Sequence, residues 1–129
     1  MHQNTSRRGE ERLRYHWPIW YTDTNDHQGS QGQMVDVSSQ AAAFTCYTTE
    51  FCPHEHQTVN TRFSVPHYGP DNSFQLADFI RTASVYRVER VNDYMNRVVL
   101  QFHEPLHFKP GEQMAFTPQI QDSREAVLT

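Results

Sequence analysis

Leu13, Tyr15, Trp17, Ile19 and Tyr21 alternate with Arg14, His16, Pro18 and Trp20. Successive side chains of an extended chain point to opposite faces, so this period of two predicts a strand with one buried face. Pro18 has no N–H to give a ladder, which puts the strand at an edge or bulges it there. Residues 22–31 are rich in Asp, Asn, Gly and Ser and predict a loop. A short second strand is expected over 33–38. On it Val35 and Val37 face the core, while Met34, Asp36 and Ser38 share the opposite face. A third strand follows at about 42–48, then a polar loop over 51–57. Val59, Thr61, Phe63 and Val65 alternate with Asn60, Arg62 and Ser64, giving a fourth. Residues 66–72 form a breaker cluster of Pro, Gly, Asp and Asn. Residues 79–91 read as a long strand whose imperfect alternation marks a bulge. Asn92-Asp93 is the turn into a last strand over 95–102, where Val98, Leu100 and Phe102 share a face.

Several short strands, polar turns and no convincing amphipathic helix predict an all-β fold, a small barrel or sandwich. Past Gly111 the pattern fades: Ser123 is placed to cap a short helix over 124–128, or the tail is disordered. At 129 residues and 15.2 kDa the chain suggests one domain, large enough for a single core. Mean hydropathy is -0.79, and no apolar run nears the roughly 20 residues of a membrane span, so no direct membrane insertion is expected. Residues 1–8 are polar and basic with no apolar segment behind them, so the expected compartment is the cytoplasm.

Net charge is -4 and the pI about 6.0, opposite to the balance of a general nucleic-acid binder. Lys109 is the only lysine, so positive charge is almost entirely arginine. That suits shaped recognition of an anion better than a diffuse field. Arg8 and Arg12 sit four apart, with Arg7 just before them and Gly9 between. Glycine disfavours a helix, so the stretch reads as a mobile arm. Guanidinium forks grip phosphate or the edge of guanine, and their planes stack on bases. Asp36 and Ser38 add a carboxylate and a hydroxyl.

Arg8-x-x-x-Arg12 followed by Asp36-x-Ser38-x-x-Ala41 resembles the paired signature of PilZ domains, the bacterial receptors for cyclic di-GMP. The family pattern is RxxxR, then [D/N]xSxxG; here Ala41 stands in place of the glycine. The resemblance spans about 6–110, leaving 1–5 as a disordered N-terminus and 111–129 as a tail. It implies a six-stranded antiparallel β-barrel with the arginine arm outside one rim, and a short C-terminal helix in some members. It also implies a signalling receptor or adaptor that binds cyclic di-GMP, needs no cofactor and acts through a protein partner. The arm would fold over the ligand and create a composite surface. The implied ligand-binding residues are Arg7, Arg8, Arg12, Asp36, Ser38 and Ala41. Asp36 would accept from guanine N1 and N2, and Ser38 would bond a base edge or phosphate. Glycine at 41 would allow positive φ or close approach of ligand to backbone; alanine predicts weakened, not abolished, affinity.

Two other readings stand beside this one. Ala41 favours a degenerate PilZ interaction module that binds no nucleotide, in which Asp36 and Ser38 are turn formers. Tyr15, Trp17, Trp20 and Tyr21 suggest a stacking platform for single-stranded nucleic acid, although their alternation assigns most of them to a core. Cys46, Cys52, His54 and His56 are spaced C-x5-C-x-H-x-H, which matches no familiar zinc pattern, so reduced thiols and no metal are expected. No phosphate loop, nucleophile elbow or His-Glu metal helix occurs, and no enzyme is expected.

Overall fold

The structure, a computed structural model, describes residues 9–23, 29–69, 71 and 73–112. Six strands carry the fold: β1 (Leu13–Asp23), β2 (Ser30–Val37), β3 (Ala41–Tyr47), β4 (Thr58–Tyr68), β5 (Phe74–Asn92) and β6 (Met95–Phe102). They close into a barrel in the order β1-β2-β3-β6-β5-β4, with every ladder antiparallel. This is the six-stranded antiparallel barrel that was expected. The C-terminal helix anticipated at 124–128 lies outside the described residues, which end in a helical turn at 110–112. No helix among the described residues is long and apolar enough to cross a membrane.

Strand alternation fills the interior. Leu13, Val37, Ala42, Leu100 and Val85 stand in one register row across five strands, and all are buried. Deeper in, Phe63 packs against Phe79 and Phe102 at ring distances of 5.8 and 5.5 Å. Phe44 is fully buried, and its ring takes the space that a Cβ on Gly32 would need, so β2 must carry glycine there. Each such large side chain contributes about 1.5–3 kcal/mol by leaving water.

Bulges account for the departures from simple alternation. The β2–β3 register shifts between Met34 and Asp36. The extra residue lets Met34 and Val37, three apart, both point inward and be fully buried, while Val35 is only half-buried. The expected assignment of Val35 to the core and Met34 to the outer face is therefore reversed. In β1 the register shifts between Arg14 and Trp17, so Trp17 is turned out, 41% exposed, and stacks on Tyr15 at 5.6 Å. The β1–β4 ladder runs from Ile19–Phe63 to Asp23–Val59, so Pro18 and Pro66 both lie outside it and their missing donors break nothing there. That lets β4 continue through the expected breaker cluster to Tyr68, and β5 begins at Phe74 rather than Phe79. The loop expected over 22–31 is shorter too, because β1 reaches Asp23 and β2 starts at Ser30.

After β6 the chain packs along one rim. The Leu106 N–H donates to the Ser39 carbonyl at 2.7 Å, and the Phe108 ring lies on His67 and Phe79. Gly111 then passes so close to the Glu11 carbonyl that a Cβ would collide with it. This crossing holds the root of the arginine arm against the barrel.

Candidate functional site

Arg14, Asp36, Ala43, Val99 and Arg87 occupy a second register row across β1, β2, β3, β6 and β5. On β1, β2, β3 and β6 it is one residue out of step with the buried row, and on β5 the register shift between Val85 and Arg87 brings Arg87 into it, so its side chains face outward. Ala43 and Val99 belong to no part of the barrel core, yet both are buried, and they floor a patch with charges at its ends. Over that floor runs a chain of ion pairs. One Asp36 oxygen, Oδ1, accepts from Arg12 Nη1 at 3.1 Å, and Oδ2 accepts from Arg97 Nη2 at 3.3 Å. Arg97 Nη1 donates to Glu89 Oε1 at 3.3 Å, and Glu89 Oε2 forms an ion pair with Arg87, 2.8 Å from its Nε. Three guanidiniums thus share two carboxylates on a half-exposed face. Such pairs stabilise a fold by only about 0–1 kcal/mol each; their effect here is to place charge.

Arg12 and Asp36, 24 residues apart, are brought together in an ion pair. Arg7 and Arg8 lie outside the described residues. Of the expected arm, residues 9–12 are described. Glu10 accepts from both the N–H and the hydroxyl of Ser39, at 2.8 and 2.6 Å, so residues 10–12 are seated on the β2–β3 turn.

Ser38 does not stand beside Asp36 on an open face. It is 5% exposed, and its hydroxyl accepts from the N–H groups of Gln40 and Ala41 at 3.3 and 3.2 Å. The Ser38 N–H donates to the Ala41 carbonyl at 2.8 Å, closing the β2–β3 hairpin. Ala41 needs no left-handed backbone: among described non-glycine residues only His56 has a positive φ, at 71°. The alanine in place of glycine is accommodated without strain.

Arg97, Glu89 and Arg87 escaped the motif reading. Alternation alone would have turned Arg97 outward, since Val98 and Leu100 point in. Its meeting with Asp36, 61 residues away, depends on β6 lying beside β3, which spacing does not reveal.

The cysteine and histidine cluster lies elsewhere. Cys46 and Cys52 are buried free thiols with sulfurs 3.5 Å apart, and Asn96 Nδ2 donates to Cys52 Sγ at 3.3 Å. Burial, reinforced by the neighbouring Cys52, pushes the Cys46 thiol up to about 12. Burial, with Cys46 beside it, also raises the Tyr21 phenol well above its usual range. His54 and His56 are exposed, and no group of three metal-ligating side chains exists among the described residues. Two hollows flank this cluster: one of about 180 Å³ lined by Tyr21, Ser30, Phe51 and His54, and a more open one of about 340 Å³ lined by Thr48, His54, Val88 and Asn96. Of the four N-terminal aromatics, Tyr21 is buried and Tyr15 half-buried, whereas both tryptophans face out; the Arg62 guanidinium sits 5.8 Å over Trp20.

No family profile and no curated protein matches the chain. Among solved structures it is similar to the Bacillus subtilis inhibitor of motility MotI/DgrA, with a TM-score of 0.61 and 12% identity. The match covers 91% of this chain and 52% of that one, so this chain spans about half the length of that protein. At such identity the likeness is one of fold alone, and it takes in nearly all of the barrel.

Proposed function

We propose that this chain is a cyclic di-GMP receptor, not an enzyme, which works in the cytoplasm and passes the signal to a protein partner. The observation that carries the reading is the meeting of Arg12 with Asp36 on the outer face, seated by the Glu10–Ser39 contact. In the free protein Arg12 occupies the carboxylate. A cyclic dinucleotide offers Arg12 a phosphate or a guanine edge, and offers Asp36 the N1 and N2 donors of guanine. Binding is then an exchange of partners at Asp36. Arg7 and Arg8 supply further cations to the phosphates. Because residues 10–12 are already seated, less chain has to be ordered on binding than a fully mobile arm would require. The covered face becomes a surface that a partner can read. A fold shared with a protein described as an inhibitor of motility is in keeping with a regulatory output.

One set of contacts favours the interaction module that binds no nucleotide. Both Asp36 oxygens are already paired, and the Ser38 hydroxyl is used in its own hairpin. A calorimetric titration of the full chain with cyclic di-GMP separates the two readings. Saturable heat, with chemical-shift changes on β2 and β6, supports the receptor; neither at high micromolar ligand leaves the interaction module.

A further inference from the structure

Arg12 and Arg97 hold the same carboxylate, but they are anchored differently. Arg12 ends the arm, one residue before β1 begins. Arg97 lies inside β6 with a ladder on each side, opposite Thr45 of β3 and Glu89 of β5. To reach Asp36 on β2 its side chain must cross β3 diagonally, a span of about 9–10 Å between strand axes two apart. Ala43, opposite Asp36 and fully buried, presents only a methyl beneath that crossing. Glu89 holds the other prong of the same guanidinium.

We propose, resting on the receptor reading above, that Arg97 is the positioning residue for guanine recognition. It keeps Asp36 aimed and charge-compensated when Arg12 leaves for the ligand. Arg97 stays on Oδ2, so Oδ1 is the oxygen released toward the base. Without Arg97 the carboxylate is free to rotate, and Arg12, its one remaining ion-pair partner among the described residues, becomes harder to withdraw. Both effects fall on the base-reading contact, so the loss appears in discrimination between guanine and adenine as well as in affinity. Glu89 acts one step further back, by steering Arg97.

The test is a set of calorimetric titrations with cyclic di-GMP and cyclic di-AMP, with circular dichroism confirming that each variant is folded. The proteins are the wild type, Arg97→Gln, Arg97→Lys, Glu89→Gln and Asp36→Ala, and Arg97→Gln combined with Asp36→Ala. Arg97→Gln is expected to lose about tenfold in cyclic di-GMP affinity and to compress the guanine preference by a similar factor. Arg97→Lys keeps the charge but loses the two-pronged fork, and should rescue little of the preference. Glu89→Gln gives the sharpest sign. Removing a negative charge beside an anion strengthens binding if the face is merely a cationic patch, and weakens it if Glu89 steers Arg97. In the Asp36→Ala background Arg97→Gln should leave the preference unchanged. Tighter binding by Glu89→Gln, full rescue by lysine, or an unchanged preference in Arg97→Gln overturns the positioning role while leaving a receptor in place. A wild type that binds neither dinucleotide overturns the receptor reading, and the inference falls with it.

Discussion

The arginine face and the thiol end of this barrel both hold side chains with ligand-like chemistry, and they differ in where their partners come from. On the face, Asp36 is reached by Arg12 from the arm and by Arg97 from a strand two positions away. These groups are half-exposed and joined by ion pairs that a ligand can exchange. At the thiol end, Cys46 and Cys52 are six residues apart, buried, and satisfied by each other and by Asn96. The neighbouring histidines point to water. Closeness in sequence made the second cluster conspicuous, yet register makes the first one chemically convergent. A buried neutral thiol pair adds packing; a half-exposed charge chain adds little stability and much directional charge.

The largest expected effect tests that division directly. Arg12→Ala should lower cyclic di-GMP affinity by roughly ten- to a hundred-fold, the loss of a charge-assisted hydrogen bond. Cys46→Ala and His54→Ala should titrate like the wild type. Zinc added to untagged protein should in turn leave the thiol end with far less than one metal per chain after dialysis. A stoichiometric retained zinc, or a Cys46→Ala variant that fails to bind the dinucleotide while folded, would invert the comparison.

Next in size is a contrast in stability. Cys46→Ala opens space beside Tyr21 and removes the contact with Cys52, and should cost roughly 1–2 kcal/mol in a urea unfolding curve. Asp36→Ala leaves its two arginines to water at a half-exposed site and should cost less than about 1 kcal/mol. Equal costs would mean that the ion-pair chain holds the barrel together and is not free to exchange.

These two regions also show how much was legible. β1, β4 and β6 follow from alternation because each has one face in the core and few irregularities over most of its length. β2 misled at Met34 and Val35, because one bulged residue puts the positions before it out of step with Asp36 and Val37 after it, and leaves no compositional mark. Pro66 misled because a missing donor matters only where a second ladder is needed, and the β1–β4 ladder stops at Phe63. A motif singled out Arg12 and Asp36, though not their pairing with each other. The Arg97 and Glu89 contributions were not legible, since strand order decides which outward side chains meet. Glu10 gave no sign that it would clasp Ser39, because nothing local marks a contact made across 29 residues.

The thiol end should also show itself in alkaline solution. Cys46 titrates near 9 in an unfolded chain and is pushed up to about 12 in the barrel. Above pH 9 the unfolded state loses a proton that the folded state keeps, so stability is fully present below about pH 9 and declines as pH climbs toward 12. The raised Tyr21 phenol adds a fall of the same sign, beginning nearer 10. Urea midpoints measured from pH 7 to 11 should drop, and Cys46→Ala should flatten the part of the drop that starts first. A midpoint that holds or rises over that range would show the thiol ionising as readily folded as unfolded.

The smallest effect expected concerns Ala41, where the motif and the structure pull apart. If glycine were needed for a left-handed turn or for close approach of the ligand to the backbone, Ala41→Gly would tighten binding. The hairpin argues otherwise. Ala41 has no positive φ, its N–H is bonded to the Ser38 hydroxyl, and its carbonyl accepts from the Ser38 N–H. Glycine there would keep those bonds and add freedom only to the unfolded chain. The expected outcome is a loss of about 0.5–1 kcal/mol of stability, with cyclic di-GMP affinity unchanged within about threefold. Paired urea and calorimetric measurements on wild type and Ala41→Gly check both halves. A tenfold gain in affinity would mean that the bound hairpin differs from the free one, and that the exchange at Asp36 extends into the β2–β3 turn.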